Sequence, residues 1–357
     1  MSETDIISLE HDQDAGDAAG KPRFSPSSLC VSPGPAVDPS ALTGELIERL
    51  RPQYADPKVL PFHSWEHPLQ VRSDALALVA RCRESGTEVD SVAVEQAALL
   101  HDVFHILDPS VLGFDSREGL AASYAYNLLR RLGAPEAHAR KVERIVWATH
   151  ALAEPQTVEE IVLRAADLRN LAGTYEEFRA STERLYLEHK GMGGKETSFA
   201  QFALRSIDHL ALYAWRLFKL TPQALNSRGA SDWHERLMQN MIRLNSELCG
   251  GRDRLIVSLY TGPTCFPPVS LARAASDQVL LVAVNSDPAL LEETLQATRN
   301  MKARGIIKAP AIFLPGTTDA LPLPDQSCDE VVVSAEASDS PEIRRVLRKN
   351  GKLVSLR

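Results

Sequence analysis

Cysteine is scarce and scattered. The five residues Cys30, Cys82, Cys249, Cys265 and Cys328 are odd in number and contain no CxxC pair, which excludes a disulfide framework and a zinc ribbon and fits a reducing compartment. Long apolar runs are also missing: no stretch reaches the roughly 18 residues that a membrane span needs. The first 20 residues carry six acids, no Lys or Arg, and no apolar core of a signal peptide. The chain therefore reads as cytoplasmic, with no membrane partner. Positive charge is in deficit, 39 Lys and Arg against 47 Asp and Glu, for a formal net charge of −8. No general electrostatic pull acts toward nucleic acid, so nucleic acid is not an expected partner.

With 357 residues the chain is long enough for two domains, each with its own core. Residues 1–40 are acidic and then rich in Ser and Pro (Pro22, Pro26, Pro33, Pro35, Pro39). Such a composition buries too little apolar surface to offset its ordering entropy, and a disordered tail is expected. Residues 41–249 show helical periodicity broken at Glu84-Ser85-Gly86, at Leu132-Gly133-Ala134-Pro135 and at Gly191-Met192-Gly193-Gly194. Thr157 with Glu160 and Thr174 with Glu177 fit capping boxes, and Gly173 stands where the first of these helices should stop. After Gly250-Gly251 short apolar strands are expected at Leu255–Leu259, Val279–Val284, Ala311–Leu314, Glu330–Val333 and Lys352–Leu356, with helices near 288–303 and 340–348. That alternation reads as an open, mostly parallel α/β sheet, with a domain boundary near residue 250.

The chemistry concentrates in the helical half. Ala97-Ala98-Leu99-Leu100-His101-Asp102-Val103-Phe104-His105-Ile106-Leu107 is apolar nearly all round and predicts a buried helix. An imidazole beside a carboxylate inside it costs several kcal/mol, of order, unless hydrogen-bonded, ion-paired or bound to a metal. Upstream, Phe62-His63-Ser64-Trp65-Glu66-His67 places two histidines four apart, with Ser64 as the expected N-cap and His67 in the first helical turn. Downstream, Asp167 stands among apolar neighbours on the helix that begins near Thr157.

A His, an adjacent His-Asp and a distant Asp, all on helices, resemble the HD superfamily of metal-dependent phosphohydrolases, over residues 45 to 220. The resemblance implies His67, His101, Asp102 and Asp167 as ligands of a divalent ion, Mn, Fe, Co, Ni or Zn. It also implies a coordinated water as nucleophile, with Asp102 at the reacting centre. Phe62 to His67 resembles the Tyr-His-Asn-x-x-His motif of cyclic-nucleotide phosphodiesterases, with Phe62 and Ser64 departing from it, and implies His63 as general acid. His105 and His150 are candidates for a second metal or for supporting the first ligands, and so is Glu118, whose place at a helix start the macrodipole explains equally. Arg169 and Lys141 are candidates for contacting a substrate phosphate. The implied activity is hydrolysis of a small phosphorylated substrate, nucleotide-like or another phosphate ester. A di-iron oxygenase of the same superfamily and a non-catalytic nucleotide-binding sensor or regulatory scaffold are the alternatives.

Residues 252–357 resemble a class I S-adenosylmethionine-dependent methyltransferase, carried by Val284–Glu292, by Leu321–Ser334 and by Ile343–Lys352. The fold class implied for the chain is thus multidomain: an all-α HD-type helical domain plus a smaller α/β, Rossmann-like domain. The cofactor motifs depart from that family. Tyr260–Pro268 has one glycine and three prolines where a glycine-rich loop belongs, and Asn285 stands in place of the acid that binds ribose. The sequence therefore implies a degenerate domain without a cofactor, used for packing, regulation or homo-oligomer formation, since a truncated sheet leaves an edge to be covered.

Overall fold

The computed structural model describes residues 24–54, 56–150, 153–193, 198–203, 206, 229–248, 254–259, 279–321, 323–334 and 340–356. Two compact units emerge. One comprises residues 1–170, 183–196 and 222–225, and the other residues 171–182, 197–221 and 226–357. The expected boundary near 250 is thus displaced: residues 171–182 and the helix before residue 249 belong with the strands. Their apolar faces explain the assignment, because Tyr175, Phe178, Leu237, Met241 and Leu244 share one core with Val257, Leu280 and Val331.

Among the described residues, six α-helices lie wholly in the first unit: α1 (Thr43–Leu50), α2 (Glu66–Glu84), α3 (Ser91–Leu100), α4 (Arg117–Arg131), α5 (Glu136–Trp147) and α6 (Val158–Asp167). The hub is α3. Val94, Ala97, Ala98, Leu99 and Leu100 are fully buried, because α3 packs against α1, α2, α5 and α6 at once. Asp90 caps its start, accepting a hydrogen bond from the Ala93 N–H at 3.0 Å. The predicted buried helix over 97–107 stops early, at Leu100, and His101 to Ile106 form turns. Phe104 adopts φ 64°, a left-handed conformation that a continuing helix of L-residues excludes.

Of the expected tail, residues 1–23 lie outside the described residues, whereas residues 24–40 pack on α4 and α5. Cys30 N–H donates to Asn127 at 2.7 Å and Ser27 N–H to Glu143 at 2.7 Å. The amides of Gly34 and Val37 donate at 3.0 Å to the carbonyls of Arg130 and Gly133. The approach is close enough that a Cβ on Gly133, at φ +92°, would stand 1.7 Å from the Pro35 carbonyl oxygen. Proline supplies extended backbone here, and these bonds and the burial of Leu29 and Val37 against the core supply what composition alone did not suggest.

The second unit holds helix α7 (Tyr175–Gly191), shared with the first, then α8 (Gly229–Leu248), α9 (Pro288–Ala303) and α10 (Pro341–Val346). Thr174 and Glu177 form the expected capping box at the start of α7, with the Thr174 N–H donating to Glu177 at 2.8 Å. Five parallel strands, β1 (Arg254–Leu259), β2 (Val279–Asn285), β3 (Ala311–Pro315), β4 (Cys328–Ser334) and β5 (Leu347–Leu356), form one sheet in the order β3-β2-β1-β4-β5. All five expected strands are present. Every residue of β2 is buried, which is what a strand covered on both faces requires and why its sequence does not alternate. The loop Tyr260–Pro268 lies outside the described residues. Among those described, no helix is long and apolar enough to cross a membrane.

Candidate metal centre

Four side chains from three segments converge on one point. His67 stands in the first turn of α2, whose N-cap is Trp65 with no side-chain bond rather than the expected Ser64. Ser64 acts through its backbone instead, its carbonyl accepting the His67 N–H at 3.1 Å. His101 and Asp102 follow the end of α3, and Asp167 is the last residue of α6. The His67 Nε2 lies 3.1 Å from Asp102 Oδ2 and 3.2 Å from Asp167 Oδ1. The His101 Nε2 lies 3.0 Å from Asp102 Oδ2, 3.5 Å from Asp167 Oδ1 and 3.3 Å from His67 Nε2. One donor atom from each residue falls within 4.8 Å of all the others.

This set fits a divalent cation. Ligand atoms held about 2.1 Å from one ion lie about 3.0 Å apart when adjacent in its shell, close to the separations found. Two imidazole nitrogens and two carboxylate oxygens are the donor types that Mn, Fe, Co, Ni and Zn accept. The His101 Nδ1 is 2.9 Å from the Ala98 carbonyl oxygen. Donating there fixes the ring and leaves Nε2 as the lone-pair donor. Side-chain exposure of 3% and 1% for the histidines against 16% and 21% for Asp102 and Asp167 shows which side opens to solvent.

Electrostatics bind the four together. Burial opposes charge on His67 and His101, but hydrogen bonds and attraction to Asp102 and Asp167 outweigh it. His67 is raised above the ordinary imidazole value, and His101 well above it. Burial likewise opposes ionisation of Asp102 and Asp167, and the imidazoles overcome it, holding both carboxyls below the usual carboxylate range.

A second group adjoins the first. The His63 Nδ1 is 2.5 Å from Glu188 Oε1, and the other oxygen of Glu188 accepts the backbone N–H groups of Phe62 and His63 at 3.1 Å each. The His105 ring stacks on that of His63, centroids 3.5 Å apart and planes within 13°. The His63 Nε2 faces Asp102 Oδ2 at 3.9 Å, and the His105 Nδ1 faces Asp102 Oδ1 at 3.7 Å. Burial, and next the neighbouring His105, push His63 down to about 4 despite the two acids. His63, His105 and Glu188 each bring one donor atom within 4.8 Å of the others, a second group with the donor types of a metal site.

The remaining candidates fall elsewhere. His150 is buried face to face on Trp147, centroids 5.0 Å apart, and belongs to neither donor group. Glu118 lies in the first turn of α4, which Ser116 caps, and is likewise outside both groups. Lys141 pairs with Asp90 at 2.7 Å. Asp90 marks the start of α3, about 15 Å along the helix from its His101 end, so Lys141 is not brought to the centre. Arg169, two residues past Asp167, is paired with Asp74 of α2. It ties the end of α6 to the helix that carries His67. α6 itself ends at Asp167, ahead of the expected Gly173, and a short 3-10 turn (Arg169–Ala172) fills the interval.

Sequence reasoning missed Glu188. In Glu183-Arg184-Leu185-Tyr186-Leu187-Glu188-His189-Lys190 an acid reads as one more solvated charge. The readable signal was its spacing: Phe178, Ser181 and Glu188 are all buried on α7, three and then seven residues apart on one helical face.

Residues 64–169 match the HD domain family. The match includes all four residues of the first group and His105, and it ends before Glu188. Neither the curated proteins nor the solved structures yield a match.

Proposed function

We propose, on the premise that the chain carries an HD domain over residues 64–169, that its helical unit is a metal-dependent phosphohydrolase acting on a nucleotide or other small phosphate ester. The observation that carries this reading is the convergence of His67, His101, Asp102 and Asp167 on one point. A divalent cation held there supplies Lewis acidity toward phosphoryl oxygen and a water acidified to near neutrality. The protein's own residues do the rest. Asp102 and Asp167 bring the negative charge that retains a cation, and His101 is oriented by its bond to the Ala98 carbonyl. His63 faces the centre through Nε2 and is oriented from behind by Glu188. In the free protein His63 is neutral at neutral pH, because it is held near 4. An incoming phosphate dianion favours its protonated form, and His63 then delivers a proton to the leaving oxygen, for a gain of about 10²- to 10⁴-fold.

The oxygenase alternative draws on His105 and His150 as further ligands; His105 joins His63 and Glu188 in a second donor group, whereas His150 stacks on Trp147 and joins neither group, which weighs against that part of it. For the second unit, the strand order β3-β2-β1-β4-β5 supports a Rossmann-like, methyltransferase-like domain, since it places the sheet's reversal point beside β1. The buried Asn285 side chain accepts the Asp287 N–H at 2.7 Å, so that side chain serves the turn into α9; a cofactor-free domain used for regulation or oligomer formation is our reading of its departures from the cofactor motifs.

The test compares the wild type with Asp102→Ala. The wild type is expected to hold Mn, Fe, Co, Ni or Zn by elemental analysis and to release phosphate from members of a phosphoester panel. The variant is expected to lose both. Hydrolysis that survives in the variant rejects this centre.

A further inference from the structure

Large apolar side chains left exposed on the helical unit are not scattered. Eight remain exposed among its described residues, and seven of them fall within residues 59, 106–112 and 187–192, Val31 being the exception. Isolated exposed apolar residues are ordinary, but a concentration of them marks a contact surface. These segments are the ones that carry or adjoin His63, His105 and Glu188. Ile106 and Leu107, 46% and 40% exposed, follow His105 directly, so their Cα atoms lie within about 7.6 Å of its own. Met192 donates its backbone N–H to the Glu188 carbonyl at 3.0 Å, one helical turn away on the same face. The Val59 carbonyl lies 3.8 Å from where a Cβ on Gly191 would stand, which brings the approach to His63 alongside the end of α7.

Charge along these segments is mixed, with Lys58 and Lys190 exposed beside Val59 and Met192. The cations that the sequence offered for phosphate are committed, Arg169 to Asp74 and Lys141 to Asp90. Arg117 donates to the His105 carbonyl at 3.0 Å. The acids Asp102, Asp167 and Glu188 face the centre. One divalent cation balances one phosphoryl dianion there, and the exposed apolar side chains of residues 106–112 offer a polyphosphate chain no counter-charge.

We propose that the substrate is a phosphate monoester whose remaining part is apolar, an alkyl or aryl phosphate, taken in preference to a nucleoside di- or triphosphate. This rests on the phosphohydrolase reading. In the reaction, water forms a new P–O bond, the P–O bond to the alkoxide breaks, and the alkoxide takes one proton, so that ester and water become alcohol and inorganic phosphate.

The test is calorimetric titration of the Mn-loaded full chain with orthophosphate, ADP, and methyl-, butyl-, hexyl- and octylphosphonate, which cannot be hydrolysed. Affinity is expected to climb with chain length, by up to about fourfold for each fully buried CH₂. Leu107→Ser and Met192→Ser, both at exposed positions, should flatten that climb while the metal content read by elemental analysis stays. A flat series, or ADP binding more tightly than octylphosphonate, overturns the apolar assignment. If orthophosphate still binds in a Mn-dependent way, the phosphohydrolase reading stands without it. Absence of any Mn-dependent binding of phosphate or phosphonate overturns both.

Discussion

Glu188→Gln separates the ligand group from the His63 group. The Glu188 carboxylate is almost fully buried, 2% exposed, and accepts three bonds: the two backbone N–H groups of Phe62 and His63 on one oxygen, and the His63 ring on the other. A carboxamide has one accepting oxygen. Its NH₂ group either confronts both backbone donors, leaving buried N–H groups without an acceptor at about 1–3 kcal/mol each, or confronts the ring and loses a charged bond of about 1.5–3 kcal/mol. Either way, urea unfolding should show a loss of about 2–4 kcal/mol. Metal held by the His67, His101, Asp102 and Asp167 group should not change, because Glu188 belongs to the other donor group. If the amide faces the ring, His63 turns to the tautomer whose Nδ1 accepts, and the carboxylate that favoured its cation is gone. The general-acid contribution, about 10²- to 10⁴-fold, should then vanish from kcat, and the pH dependence that His63 imposes should vanish with it. Destabilisation with wild-type kcat would reduce Glu188 to an anchor for residues 62–63. Loss of metal would place it in the ligand shell, and either result refutes the assignment.

Two further outcomes are expected. His67 and His101 are held above the ordinary imidazole value by Asp102 and Asp167, and a metal takes only their neutral forms, so loading must displace protons. Metal affinity should fall as pH drops through and below neutrality, and calorimetry in buffers of different ionisation enthalpy should detect the released protons; pH-independent affinity would contradict the charge assignment. Gly133→Ala would force a Cβ to 1.7 Å from the Pro35 carbonyl at φ +92°, costing about 1–3 kcal/mol in backbone strain alone. The segment at residues 24–37 should lift, read as faster hydrogen exchange at the Gly34 and Val37 amides. Unchanged exchange there would mean that the segment is not held by this contact.

Much was legible because local chemistry announces it. Thr157 and Thr174 mark helix starts because a hydroxyl and a carboxylate satisfy free N–H groups within four residues of chain; Glu177 closes the box on the Thr174 N–H, whereas Glu160 takes the Gln156 N–H in place of that of Thr157. Continuous apolar runs mark the strands because a sheet covered on both faces has no polar side to alternate with. His67, His101, Asp102 and Asp167 stood out because buried imidazoles and carboxylates demand partners. The misreadings share a different cause. The helix over 97–107 satisfied every local criterion, yet it stops at Leu100, and turns at residues 101–106 with a left-handed Phe104 take its place. The sequence likewise shows Arg169 and Lys141 without their counter-ions, because Asp74 and Asp90 are distant in the chain.

The residue types of the centre, the helical and strand-bearing halves and the family resemblance thus belong to the sequence itself, since each follows from interactions within a few residues or from the cost of burying a charge. The meeting of the four donor side chains from three segments, the seat of Glu188 behind His63, the binding of residues 24–40 and the concentration of exposed apolar residues at 59, 106–112 and 187–192 belong to the tertiary structure alone. Each is a contact between residues remote in sequence, and such contacts are set by how helices pack around α3 rather than by any local preference.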